Sequence, residues 1–263
     1  MTRTEPPSVL YDVAEHVATI TLNRPQARNA MDHAGYKLLS GCIERASADI
    51  DVRCIVITGT DPGFCAGDDI RILSGQDRHF GPDGKPEKLP LPGAALRRCT
   101  KPVVAAVNGP AMGYGLEIAV LSDFRLASEQ ARFCALYIRR SLVAPADSWE
   151  ILPRIVGQER AAELLLTGDT IDAATALEYR LVSRVTAHAD LLPEARALAA
   201  RMARNAPLAV QAAKQALLLS RAGDRKGLRD HINAQTLALS ATEDFRESIA
   251  SFRERREPVY RGR

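Results

Sequence analysis

Two short glycine-bearing segments stand where backbone amides could do chemistry. Phe64-Cys65-Ala66-Gly67-Asp68-Asp69-Ile70 follows one apolar, β-branched run, and Asn108-Gly109-Pro110-Ala111-Met112-Gly113-Tyr114-Gly115-Leu116-Glu117 follows another. Each reads as a junction between a strand and a helix. The first N–H groups of a helix have no intrahelical acceptor, and the helix dipole places partial positive charge on them. Two such junctions brought together would offer two donors to one developing oxyanion. Loss of one donor from such a site costs ~3–4 kcal/mol of transition-state stabilisation. Both segments also read simply as tight connections, and the residues alone leave the two readings open. Glu117 stands three residues after Tyr114 on the same helical face, where a carboxylate can move a proton or merely complement the dipole.

Other chemistries lack their residues. The stretch Gly113-Tyr114-Gly115-Leu116-Glu117-Ile118 lacks the third glycine of a dinucleotide fingerprint, and no GxxxxGK[ST] phosphate loop occurs. There is no GxSxG nucleophile elbow. The five histidines (His16, His33, His79, His188, His231) show neither HxxxH nor HExxH spacing, so no metal is expected. The five cysteines (Cys42, Cys54, Cys65, Cys99, Cys134) form no CxxC pair, and an odd number cannot pair completely. A reduced, cytoplasmic setting is the expectation.

The motifs FCAGDDI, KPVVAAVNGPAMGYGLEIAVLSDFRLASEQARF and LPRIVGQERAAELLLTGDTIDAATALEYRLVSRV resemble the enoyl-CoA hydratase/isomerase (crotonase) superfamily. The likeness runs from TITLNRPQARNAMD to the tail TEDFRESIASFRERREPVYRGR, nearly the whole chain. It implies an α/β fold, a crotonase-like spiral of ββα units with a helical C-terminal trimerisation region. The implied substrate is an acyl-CoA thioester, with coenzyme A arriving as part of it and no separate cofactor. The implied assembly is a homo-trimer or a dimer of trimers.

Position by position, the resemblance makes the amide of Asp68, the x of AGxD, one oxyanion donor and the amide of Tyr114 the other. The family often has glycine where Tyr114 stands. Ala66, Asp68, Asp69 and Ile70 would lie along the pantetheine and adenine of CoA. Arg28, in RPQARNA, matches a basic position that reaches the CoA phosphates, and reads otherwise as a solvated loop arginine. Glu117 matches one of the family's two acid/base glutamates. Counted without gaps from Phe133 to Gly157, the second falls on Tyr137. Tyrosine ordinarily titrates near 10, so it is a poor base that can still donate a hydrogen bond; otherwise it packs. Asp147, in Ala144-Pro145-Ala146-Asp147-Ser148-Trp149, lies where some isomerase-like relatives carry an acid near the acyl end. It reads otherwise, and more readily, as a helix N-cap, and Glu150 follows it on the same helix. The implied reaction holds a thioester enolate between the two amides while Glu117 moves a proton, in hydration or double-bond isomerisation of an enoyl-CoA. Thioester hydrolysis, decarboxylation and a CoA-binding relative without chemistry are the alternatives.

The elements that must position these residues are legible from pattern. Residues 16–23, 54–60 and 102–107 read as strands, and Asp32 as the N-cap of a helix carrying Tyr36, Leu39, Ile43 and Ala46. A short helix is expected from Asp68 or Asp69, a long mobile loop over 75–93, and an apolar helix over 114–121. Extended pieces follow at 124–128 and 131–138, helices near 158–166 and 172–179, and a strand at 181–186. From about 190 the pattern is helical, with breaks near Pro207 and Gly223. This alternation indicates an α/β body. The division expected is 1–190 for the spiral core with CoA and active site, and 191–263 for oligomerisation.

With 263 residues, 46% hydrophobic and 25% charged, the chain has the composition of a globular protein. Thirty-five Lys and Arg against 32 Asp and Glu give no reason to expect a nucleic-acid partner, and no apolar run is long enough for a membrane span or a signal peptide. The whole net charge of +3 sits in residues 251–263, with five Arg and two Glu. That basic tail reads as a solvated end or as a contributor to holding the nucleotide end of CoA.

Overall fold

The computed structural model describes residues 6–74 and 91–263. Most of the loop expected over 75–93 therefore lies outside the described residues. Its last residues belong to a helix that the sequence pattern did not announce.

The run HVATITL becomes β2 (Val17–Leu22), and β1 (Val9–Ala14) pairs with it antiparallel through a turn in which Glu15 and His16 both adopt positive φ. The helix that Asp32 was expected to cap is α1 (His33–Ala48), and the Asp32 side chain accepts the Gly35 amide. Next come β3 (Cys54–Gly59), the single turn α2 (Ile70–Leu73), α3 (Pro92–Arg98) and β4 (Val103–Val107). A short β5 (Pro110–Met112) precedes α4 (Tyr114–Leu121), whose bounds match the expectation. β6 (Phe124–Ser128) and β7 (Arg132–Cys134) follow, but residues 136–140 form a 3-10 turn instead of continuing the expected strand to 138. α5 (Ala146–Val156), α6 (Gln158–Thr167), β8 (Thr170–Asp172), α7 (Ala173–Glu178) and β9 (Arg184–Thr186) complete the body. The C-terminal helices are α8 (Leu191–Ala203), α9 (Pro207–Arg221), α10 (Arg225–Ser240) and α11 (Glu243–Glu254).

The six-stranded sheet has the order β1-β2-β3-β4-β6-β9, parallel except at its β1 edge. A three-stranded sheet, β5-β7-β8, stands apart from it. Parallel strands covered on both faces must be apolar on both, which explains the unbroken runs IVI and VVAAV. Ile20, Leu22, Ile55 and Ile57 face a core that holds Tyr36, Leu39 and Ile43 of α1. The alternate residues Val17, Cys54, Val56, Val104 and Ala106 face Leu191, Ala195, Ala199 and Ala203 of α8. The helix that opens the expected C-terminal region is thus the cover of the sheet's second face.

Candidate active site

Both glycine-bearing segments leave the carboxyl ends of neighbouring parallel strands, β3 and β4, so they arrive side by side. Backbone bonds lock them: Cys65 N donates to Pro110 O at 3.0 Å and Met112 N to Cys65 O at 2.9 Å. A Cβ on Gly115 would overlap the Cys65 carbonyl, so only glycine lets the chains approach this closely. Gly67 has φ +88°, and a Cβ there would lie 2.7 Å from Met112 O and 3.3 Å from Tyr114 N. The nitrogen of Tyr114 therefore lies against the turn that carries Asp68. A third strut comes from the start of the chain, where Met31 N donates to Gly67 O at 2.8 Å and Asp69 N to Met31 O at 2.9 Å. Neither the Asp68 nor the Tyr114 amide donates to an acceptor among the described residues, so both are left without a protein acceptor there.

Glu117 lies in the first turn of α4, only 1% exposed. The Ser148 hydroxyl of α5 donates to its Oε2, while Oε1 has no hydrogen-bond partner among the described residues. Burial pushes this carboxyl up to about 7, against the opposing pull of the Ser148 hydrogen bond and the Arg97 charge. A carboxyl poised there changes protonation state near neutral pH, which suits proton transfer.

Tyr137 sits on the 3-10 turn, half-buried, with its hydroxyl unpartnered among the described residues. Its ring lies against Gly113, where a Cβ would meet Cζ at 3.9 Å. Burial, then Glu117 and Asp68, push its pKa up, so the hydroxyl stays protonated and is no base. A cavity of about 110 Å³ runs between the two loops, lined by Ala66, Gly67, Asp68, Gly113, Tyr137 and Arg140 among others.

The remaining predicted residues are distributed around this centre. Asp68 is half-buried, and its side chain accepts a hydrogen bond from the buried Tyr36 hydroxyl. Asp69 is the N-cap of α2, and Arg24 and Arg71, each at 3.0 Å, occupy its carboxylate and hold it well below the usual carboxylate range. Ile70 is exposed and Ala66 partly so, both on the cavity wall. Arg28 is exposed in a left-handed conformation, and its carbonyl accepts the Ala66 amide at 3.0 Å. It therefore starts from the rim of the same loop.

Asp147 does not cap α5: the N-cap is Pro145, with no side-chain cap bond, and Asp147 is the second helical residue, paired with Arg97. A Cβ on Gly93 would lie 3.5 Å from Asp147 Oδ2 and 3.4 Å from the Tyr114 hydroxyl, so both reach the start of α3. Glu150 is exposed and stands 3.5 Å from Arg97. The basic tail folds back on α11, where Arg256 pairs with Glu247 and Glu254, and Arg263 with Glu243.

Sequence reasoning missed Tyr36, Arg97 and Ser148 as site residues. Tyr36 read only as part of an apolar helix face, and nothing local marked Ser148. One rival constellation appears: Ser128 Oγ lies 3.1 Å from His188 Nδ1, and His188 Nε2 lies 3.0 Å from Asp61 Oδ2. Ser128 is fully buried and its Oγ accepts the Gln130 amide, so the series ties loops together and offers no accessible nucleophile. Among the described residues no group of His, Cys, Asp and Glu has the makings of a metal site, and no helix is long and apolar enough to cross a membrane.

The chain resembles known proteins over nearly its whole length. The family model described as Enoyl-CoA hydratase/isomerase matches residues 12–263. The 2,3-dehydroadipyl-CoA hydratase of Escherichia coli K12 is 39% identical, over 95% of this chain and 96% of its own. The (E)-benzylidenesuccinyl-CoA hydratase of Thauera aromatica is 38% identical, over 97% and 99%. The crystal structure of an enoyl-CoA hydratase from Mycobacterium tuberculosis H37Rv superposes with a TM-score of 0.88 at 30% identity, covering 98% of this chain and 100% of that one.

Proposed function

Because the chain belongs to the enoyl-CoA hydratase/isomerase family, we propose that it binds an acyl-CoA thioester and moves a proton on its enoyl group. The thioester oxygen is held by the amides of Asp68 and Tyr114, and the charge that develops on it as the enolate forms is stabilised there. Glu117 takes the proton, through the carboxylate oxygen that Ser148 leaves free. The observation that carries this reading is Glu117: a buried carboxyl in the first turn of the helix that begins at Tyr114. CoA enters along Ala66, Asp68 and Ile70, with Arg28 at the rim for its phosphates, and no other cofactor is needed. Asp69 shapes this wall through its ion pairs with Arg24 and Arg71. Five free cysteines suit a reducing, cytoplasmic setting.

The reaction is hydration or double-bond isomerisation. One carboxylate can take and return a proton along the carbon chain, so isomerisation needs only Glu117. Water addition also needs a group that protonates the α-carbon, and Tyr137, held protonated, is a weak acid for that step. Assay of a panel of 2- and 3-enoyl-CoA thioesters for both reactions tests the proposal. Wild type is expected to turn over at least one, and Glu117→Gln to lose about 10²–10⁴-fold in kcat. A wild-type protein that binds CoA but transforms none of them would be a relative without this chemistry.

A further inference from the structure

Asp68 offers more than its amide. Asp68 lines the same cavity as Gly113 and Tyr137, in the turn that packs against Tyr114 N. Oδ1 accepts the Tyr36 hydroxyl, which is buried and whose ring lies 5.1 Å from that of Tyr114. No described residue donates to Oδ2. Among the described residues, the charged and titratable groups around it are Tyr36 from α1, Cys65 from the same loop, Tyr114 from α4, and Tyr137 and Arg140 from the 3-10 turn, with Glu117 reached through Tyr114 and Tyr137. An ionised carboxylate beside an oxyanion hole would repel the enolate formed there, whereas a neutral carboxylic acid would not. The surroundings favour the neutral form: burial holds the Asp68 carboxyl above its usual range, while the Tyr36 hydrogen bond pulls the other way.

We propose that the Asp68 carboxyl is the second acid/base group of the site, delivering to the enolate the proton that Glu117 does not carry. The proposal rests on the acyl-CoA reading above and supplies the acid that water addition lacked. In that reaction Glu117 takes a proton from water as the water oxygen bonds to the β-carbon, and the electron pair of the double bond passes to the thioester oxygen. The Asp68 O–H bond then breaks as a C–H bond forms at the α-carbon and the thioester carbonyl is restored. Both carboxyls return to their starting states by exchange with solvent. In isomerisation Glu117 instead takes the proton from the substrate, and Asp68 returns one at the other end of the allylic system.

The test compares wild type with Asp68→Asn on the enoyl-CoA that wild type turns over best, with kcat and KM followed across pH. Asparagine keeps the amide donor and an acceptor for Tyr36, but has no acidic proton to transfer. The expected result is a kcat at least 100-fold lower with KM within threefold of wild type, and loss of the alkaline limb of kcat. A kcat within threefold of wild type across pH overturns the proposal. Tyr36→Phe provides a second readout that survives poor folding of the asparagine variant. Without the hydroxyl that favours the ionised carboxylate, the alkaline limb should move to higher pH, and an unmoved limb likewise overturns the proposal. Failure of the underlying reading looks different, since wild type then turns over no enoyl-CoA at all.

Discussion

At the scale of single residues, the balance between burial and hydrogen bonding decides what Glu117 can do. Its folded carboxyl titrates near 7 instead of 4.5, so ionisation above neutral pH costs the folded state free energy. The contribution is fully favourable below pH 4.5 and is lost as pH rises through 7. At ~1.4 kcal/mol per tenfold change in proton affinity, the loss is about 3 kcal/mol. Glu117→Gln should therefore be the more stable protein at pH 8, with its advantage in Tm vanishing as pH falls towards 4.5; calorimetry at several pH values measures this. A Gln variant no more stable than wild type at pH 8 would mean that Glu117 is solvated. Ser148 is the donor that keeps the carboxylate usable. Ser148→Ala should shift the acid limb of kcat upward and lower activity at pH 7 on the order of tenfold, with Ser148→Thr restoring part of it. An unchanged pH profile would leave Ser148 with a packing role only.

Elements bring these residues together by the way they leave the sheet. β3 and β4 are adjacent parallel strands, so their carboxyl ends release both site loops at one edge of the molecule. The close approach of those loops rests on Gly67 and Gly115 more than on any side chain. Gly115→Ala forces the Cys65 carbonyl away, which should cost about 1–3 kcal/mol of stability and misplace one amide of the pair. Thermal melts and kcat should fall together, with CoA binding less affected than turnover. Local signals made much of this legible. The Asp32 cap, the α4 bounds and the β-branched runs are properties of neighbouring residues, and sequence carries those directly. The 3-10 turn under Tyr137 and the short β5 and β8 were not legible, because their conformation comes from tertiary pairing between β5, β7 and β8 rather than from propensity.

At the scale of the molecule, the C-terminal helices stand on a narrow footing. α8 belongs to the sheet, whereas α9 is tied to the body by the buried Lys214, which donates to Lys101 O at 2.7 Å and pairs with Asp123 at 2.8 Å. Lys214→Met should loosen α9 to α11 and expose them to protease while the body keeps its fold, as limited proteolysis followed by mass spectrometry would show. These helices leave large apolar side chains uncovered, among them Leu217, Leu237 and Phe252, the last 84% exposed. Such surface suits association with further copies of the chain, and a homo-trimer or a dimer of trimers is the assembly we propose. Light scattering should give three or six times 28.6 kDa, and Phe252→Asp should shift it towards the monomer. A wild-type monomer at micromolar concentration would exclude that assembly. The sequence by itself determined the family, the strand-to-helix junctions and the place of Glu117, because motif order and local periodicity are written in consecutive residues. Only the tertiary structure decided that Ser148 holds Glu117 from 31 residues away and that Tyr36 holds Asp68 from 32. It also decided that Asp147 pairs with Arg97 instead of capping its helix. Contacts between elements depend on how sheets and helices pack, and no local pattern in the chain encodes that packing.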